Sequence, residues 1–212
     1  MKGLVLKDMY IIKGTILTTA TIIAILMLYC VIRDFSIGFV IIPPIIFAAT
    51  TTSTFKLDWA IKWDKKALTM PVTRKEIVFS KYFELIFLCL TGTLVGFTIE
   101  NIYNFFKKSV SFVMVANLAV VSLSFAIICG SFHIMLIYKF GGDYLENSEL
   151  LLFGASGISI AILALCLYIF RFFVTIQLDG ISFVPVVLFL ISLFVYFVTY
   201  RMSVVLYSAK EL

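Results

Sequence analysis

The residues with the most chemical character lie in one polar segment, Lys56 to Glu84, which interrupts an otherwise apolar chain. Trp59 and Trp63 are four residues apart, so they are predicted to share one face of a short helix, with Lys62 beside them. A face of tryptophan and lysine suits two roles. It anchors a protein among lipid headgroups, or it docks a partner protein, and the spacing favours neither.

The same segment contains a helix stop followed by a helix start. Pro71 ends the first helix, because the residue before a proline is disfavoured in the helical region. Thr73 and Glu76 have the spacing of a capping box, in which each side chain bonds the backbone amide of the other residue. A second helix is therefore predicted to begin at Arg74 and to run to Ile99 as one rod, about 39 Å long at 1.5 Å per residue.

Outside this segment the sequence contains few reactive groups, and their spacing matches no nucleotide-binding, disulfide or metal-site motif. The chain has no G-x-x-x-x-G-K-[ST] sequence for binding nucleotide phosphates. The four cysteines have no paired spacing, so we expect buried apolar side chains rather than a disulfide framework or a metal site. The chain is not expected to be an enzyme or to hold a cofactor of its own. The cysteines are Cys30, Cys89, Cys129 and Cys166.

The composition places the chain in lipid. Of 212 residues, 62% are hydrophobic and 14% are charged, whereas soluble domains are roughly 45–50% apolar and about 25% charged. The predicted fold class is an all-α integral membrane protein, a single domain with six transmembrane helices. The expected spans are about residues 15–32, 35–55, 82–99, 112–137, 150–170 and 181–200.

Ionisable side chains are scarce within these spans. Lys81 and Glu84 are expected at the membrane interface, where long side chains reach the headgroups. His133 is then the only ionisable residue inside a span, and we expect it to be a hydrogen-bonded packing residue. Ion-driven transporters generally need charged groups within the membrane. We therefore expect the energy for any transport to come from a partner.

The placement of the basic residues predicts the orientation. Thirteen of the 17 Lys and Arg residues fall on the segments of one side, seven of them in the segment 56–84. The positive-inside rule therefore places both termini and this segment in the cytoplasm. The net charge of +5 is explained by this bias and does not indicate a nucleic-acid partner.

Small residues at four-residue spacing predict close helix contacts, either within the chain or at a dimer interface. They are Gly92, Gly96, Ser122, Ala126, Gly130, Gly154 and Gly157.

Pro43 and Pro44 are expected to kink or interrupt the second span. The hydroxyl residues that follow either bond back to their own helix or line a path for substrate. The candidates for a substrate path are Thr50, Thr51, Ser53 and Thr54.

The segment from Lys62 to Tyr82, KWDKKALTMPVTRKEIVFSKY, resembles the cytoplasmic loop of small bacterial ABC type-2 permease subunits. The first eight residues, MKGLVLKD, are similar to the start of that family. KFGG at 139–142 and the closing segment 203–211 also match, in the same order along the chain. The resemblance therefore covers the whole chain.

This resemblance implies the membrane permease of an ATP-binding-cassette exporter in the bacterial cytoplasmic membrane. The permease would pair with itself or with a second permease chain and rest on two ATPase subunits, which hold the ATP and Mg²⁺. The loop helix would be a cytoplasmic coupling helix seated on the ATPase, and the N-terminal segment an elbow along the membrane. The implied coupling residues are Trp59, Lys62, Trp63, Asp64, Leu68, Pro71, Thr73, Arg74 and Glu76.

The apolar, aromatic and uncharged spans favour an amphipathic or hydrophobic cargo, such as a toxin or antimicrobial peptide. Two alternatives remain open. One is a resistance or immunity subunit of the same kind of complex. The other is a membrane-anchored structural or regulatory protein whose basic loop binds lipid.

Overall fold

Six helices account for nearly all of the part of the chain that the structure, a computed structural model, describes. The described residues are 2–32, 37–67, 72–107, 110–141 and 183–209. The helices are α1 (Lys2–Ile32), α2 (Ile37–Ala60), α3 (Trp63–Ala67), α4 (Arg74–Lys107), α5 (Phe112–Phe140) and α6 (Phe183–Ser208). No strand occurs in these ranges, in agreement with the all-α prediction.

Five of the described helices are long and apolar enough to cross a membrane, and α3 is a five-residue helix between two of them. The most extensive contacts are those of α2 with α4 and of α5 with α6, while α1 packs mainly on α2. The predicted span 150–170 lies outside the described residues. The structure thus gives five candidate spans where the sequence predicts six.

The N-terminal helix is continuous, so the separate elbow implied by the resemblance is wrong for this chain. α1 runs unbroken over 31 residues. Its buried residues Leu4, Asp8 and Ile12 are spaced by four, and the same stripe continues through Ile23 and Met27. Because one stripe at helical spacing faces the bundle along the whole length, no turn separates the first residues from the rest.

α2 contains both prolines and is not interrupted by them. A proline lacks the amide that would bond the carbonyl four residues earlier, so Pro43 and Pro44 release the carbonyls of Phe39 and Val40. Both carbonyls face Gly96 of α4, because a Cβ built there would lie 2.7 Å from the Phe39 oxygen and 3.1 Å from the Val40 oxygen. The neighbouring glycine therefore makes room for the carbonyls that the prolines release.

α4 begins at Arg74, as the capping pattern predicts, and continues past Ile99 to Lys107. Its 34 residues correspond to about 51 Å at 1.5 Å per residue. That length exceeds the roughly 30 Å hydrocarbon core of a bilayer. α4 therefore extends beyond the membrane core at one end or both.

Contacts bring the first residues of α1, all of α3 and the last residues of α6 to one end of the bundle, here called the α3 end. Lys7 of α1 is ion-paired with Asp58 of α2. Arg74 of α4 donates to the carbonyl of Ser208 in α6, at 2.7 Å. The sequence segments that carry most of the basic residues thus meet at a single surface.

Candidate functional site

A break after α2 separates the two tryptophans, so the prediction that they share one helical face is wrong. Trp59 lies in the last turn of α2, and Trp63 is the first residue of α3. Between them Lys62 has a φ of 51°, and its amide donates to the Trp59 carbonyl at 3.0 Å. A left-handed residue of this kind commonly ends a helix, and here it redirects the chain before Trp63.

α3 is fixed to the bundle at both ends. The Nζ atom of Lys7, on α1, lies 4.2 Å from the centre of the Trp63 ring, a cation–π contact. Ala67, the last residue of α3, is fully buried in the main hydrophobic core. Trp59 is instead 45% exposed, so the two tryptophans occupy different environments.

Five charged side chains from α1, α2 and α4 form an ion cluster beside α3: Lys7, Asp8, Asp58, Lys81 and Glu84. Lys81 is its centre, with Nζ 2.8 Å from an oxygen of Asp8 and 2.7 Å from one of Asp58. Lys7 binds the other oxygen of Asp58 at 2.5 Å. The cluster contains two positive and three negative groups and ties three helices together.

All of the cluster except Lys7 is closed to solvent, which corrects the expectation that the side chains of Lys81 and Glu84 reach out to the headgroups. Their side chains are 4% and 1% exposed, and Asp8 is 1% exposed. Each charge finds a partner among the others, and Thr54 of α2 also donates to Glu84 at 3.3 Å. Pairing makes this burial tolerable, because an isolated charge in such a place would cost several kcal/mol.

Arg74 and the capping box hold helix ends at this site. Thr73 donates its amide to Glu76 at 2.7 Å, and its hydroxyl oxygen accepts from the Glu76 amide at 3.3 Å. Arg74 donates to the last carbonyls of α6, those of Tyr207 and Ser208. A cation there satisfies orphan carbonyls and complements the helix dipole.

Of the other implied coupling residues, two lie in or beside α3 and two lie outside the described residues. Lys62 is exposed in the turn before α3, and Asp64 lies within α3. Leu68 and Pro71 lie outside the described residues.

The small residues that the structure describes pack helices of this chain against one another. A Cβ on Gly92 would lie 2.8 Å from the Cα of Pro44, so α4 meets α2 there. A Cβ on Gly130 of α5 would clash with the Leu85 side chain of α4. Ser122 and Ala126 are buried on α5. Gly154 and Gly157 lie outside the described residues.

The hydroxyl residues of α2 bond mostly within the chain. Thr50 and Ser53 donate to carbonyls of their own helix, and both are partly exposed. Thr51 and Thr54 are closed inside the bundle.

One further hydroxyl, that of Thr52, lies 3.0 Å from Nε2 of His133 on α5. His133 is therefore a hydrogen-bonded packing residue, as predicted.

Comparison with known protein families gives a match over nearly the whole chain. Residues 3–208 match the family described as ABC-2 family transporter protein. The chain belongs to that family. It is a multi-pass membrane protein and a component of membrane transport. No curated protein and no solved structure matches the chain.

Two acidic members of the ion cluster, Asp8 and Asp58, are not predicted as site residues from the sequence of this ABC-2 family chain. Asp8 falls only in the segment that carries the family resemblance, and Asp58 only in the polar segment 56–84. One signal was available for Asp8, which shares the four-residue spacing of Leu4 and Ile12 and so faces the bundle.

Glu100 is a further buried acidic residue, one position beyond the predicted span 82–99. It lies seven residues before the end of α4, because the helix continues past Ile99, and it is 1% exposed.

Proposed function

We propose that this chain is the permease subunit of an ABC exporter in the bacterial cytoplasmic membrane. It pairs with a second permease chain and is driven by two separate ATPase subunits, which hold the ATP and Mg²⁺. The position of α3 is the observation that supports this proposal. α3 is a short helix between two spanning helices, held to the bundle by Lys7 and Ala67, with Trp59 and Lys62 exposed beside it.

The connections of α3 suit it to receive force from a partner. A two-residue turn joins it to α2, and six residues separate its end from the first residue of α4. A partner that binds the exposed side of this region therefore acts on two spanning helices together. Closure of the ATPases around ATP would shift α3 and change the packing of α2 against α4, opening the permease pair alternately to each side.

The proposed cargo is amphipathic or hydrophobic, such as a toxin or antimicrobial peptide. The outward side chains of the spanning helices are largely apolar and aromatic, including Phe87, Leu94, Phe194 and Phe197. Surfaces of this kind suit a molecule that partitions into lipid better than an ion or a sugar.

The proposal is tested by co-purifying the full chain with a candidate cassette ATPase, taken from a neighbouring gene where one exists. Trp59→Ala and Lys62→Glu change exposed residues at the α3 end and should each weaken co-purification of the ATPase. Phe106→Ala is the matched control, since Phe106 is 79% exposed and lies near the opposite end of α4. Arg74 is unsuitable as a test residue because its loss would also free the end of α6.

Each outcome decides between named functions. Loss of the ATPase in the two α3-end variants, but not in Phe106→Ala, supports the permease. A wild-type chain that binds anionic vesicles and no ATPase would instead indicate a lipid-anchored regulatory protein. A chain that binds the ATPase, and whose deletion sensitises cells to an external peptide without abolishing export, would be an immunity subunit.

A further inference from the structure

The ion cluster connects α3 to helices beyond its neighbours in sequence. The Trp63 ring of α3 lies 4.2 Å from Lys7 of α1, and Lys7 binds Asp58 of α2 at 2.5 Å. Asp58 binds Lys81 of α4 at 2.7 Å, and Lys81 binds Asp8 of α1 at 2.8 Å. This unbroken series of contacts includes one group or more from each of the four helices.

Because most of these charges are buried, displacing any one of them is energetically costly. Charges that exclude water interact in a low effective dielectric, so displacing one leaves its partner uncompensated. Asp58 is shared by two cations, one on each carboxylate oxygen, so a shift of Lys7 alters the pairing of Lys81. Apolar contacts would hold the helices together without requiring this correlated movement.

We propose that the ion cluster is the joint through which displacement of α3 moves α1 and α4 together. Lys7 is the positioning residue that receives the movement from Trp63 and passes it to Asp8 and Asp58, and both of these carboxylates bind Lys81. That an ATPase displaces α3 rests on the proposed function. The linkage between Trp63 and the ion cluster does not, because it involves residues of this chain only.

The position of Lys7 distinguishes a joint from simple helix packing. Its side chain is 22% exposed, compared with 4% for Lys81, so it lies at the rim of the cluster. Removing it would leave Asp58 paired with Lys81. The expected consequence is a folded chain in which α3 has lost its contact with the cluster.

The first experiment measures the linkage within the purified full chain. The sequence has two tryptophans, so Trp59→Phe leaves Trp63 as the sole reporter. Lys7→Gln should shift the Trp63 emission maximum and change its quenching by acrylamide. Lys81→Arg, which changes a residue linked to Lys7 through Asp58 and Asp8, should alter both quantities in the same direction. Lys75→Gln, at an exposed position on α4, is the control and should alter neither.

The larger planar guanidinium of Lys81→Arg keeps the charge and cannot reproduce the geometry of the ammonium group. The joint is refuted if Lys7→Gln alters the Trp63 signal and Lys81→Arg leaves it unchanged, or if neither variant alters it. Should Lys81→Arg fail to fold, Glu84→Gln replaces it, because Glu84 pairs with Lys81 at 3.9 Å. An unchanged Trp63 signal in folded Glu84→Gln would overturn the proposal in the same way.

A second experiment uses the chain reconstituted with its cassette ATPase. Asp8→Asn should co-purify with the ATPase as wild type does, yet fail to stimulate its ATP hydrolysis, which is measured as phosphate release. Wild-type stimulation in this variant would overturn the joint and leave the permease function standing. A wild-type chain that binds no ATPase would overturn the proposed function. The linkage between Trp63 and the ion cluster would then be tested by the fluorescence measurement only.

Discussion

At the residue scale, Lys81 shows how one buried cation organises three helices. Its ammonium group binds carboxylates from α1 and α2, which lie far apart in the sequence; Asp8 is 73 residues away. Apolar side chains of similar volume would fill this space at no greater cost, so stability alone does not explain five charges. The cluster fits better with a joint that makes the helix ends move together than with simple helix packing.

Replacing Lys81 should therefore be costly to stability. Lys81→Met removes the buried cation that binds Asp8 and Asp58 and leaves them only the partly exposed Lys7, and breaking a buried pair typically costs about 3–5 kcal/mol. The measurement is the free energy of unfolding in detergent. Lys75→Met on the same helix removes an exposed lysine and should change it by less than about 0.5 kcal/mol. Equal losses in the two variants would show that Lys81 is not paired as described.

The predictability of a contact depends on the distance between its partners in the sequence. The capping box of Thr73 and Glu76 is predictable because its partners are three residues apart and obey a local rule. The pairing of Lys7 with Asp58 spans 51 residues and depends on the packing of α1 against α2. No local pattern encodes that packing, so an interface position was the natural expectation for Lys81.

At the element scale, the prolines of α2 pack against the glycines of α4. The prolines of α2 release backbone carbonyls, and the glycines of α4 are placed where those carbonyls approach. The spacing of Gly92 and Gly96 predicts a close contact, but their partner is visible only in the structure. The sequence predicts a kink or an interruption of α2 at the prolines, and the interruption does not occur; α4 packs against this segment through Gly92 and Gly96.

Gly96→Ala should destabilise the chain by separating these two helices. The added methyl group would meet backbone oxygens at 2.7 and 3.1 Å, which can yield only if a helix shifts. Overpacking of this kind costs roughly 1–3 kcal/mol and should lower the midpoint of thermal unfolding. Gly14→Ala on α1 is the control, since nothing lies within 4 Å of its added methyl group. A midpoint equally unaffected in both variants would contradict the close approach.

The start of α4 is also expected to respond to a single cap. Thr73→Ala removes the acceptor for the Glu76 amide, and loss of such a cap typically costs about 1 kcal/mol. Amide hydrogen exchange in the first turn of α4 should accelerate, and the end of α6 should follow because Arg74 in that turn holds it. Thr98→Ala, whose hydroxyl donates to the Val95 carbonyl within the same helix, should leave both segments unchanged.

At the scale of the whole molecule, the charged residues that the structure describes divide unequally, with most of them at the α3 end. The sequence predicts this division because Lys and Arg can be counted segment by segment without any knowledge of packing. It does not predict that part of the charge at the α3 end is internal, since composition cannot distinguish an exposed lysine from a paired, buried one. Lys75 and Lys81 lie on the same helix and have these two opposite environments.

The predicted orientation assigns the α3 end to the cytoplasm, and α4 allows this to be measured on a single helix. Lys75→Cys and Phe106→Cys place thiols at exposed positions near its two ends, 31 residues apart, or about 46 Å at 1.5 Å per residue. A membrane-impermeant maleimide added to intact cells should label Phe106→Cys and should label Lys75→Cys only after permeabilisation. The wild-type chain is the control for its native thiols, of which Cys30 and Cys89 are buried. The reverse labelling pattern would invert the topology and place the α3 end where no cytoplasmic ATPase could reach it.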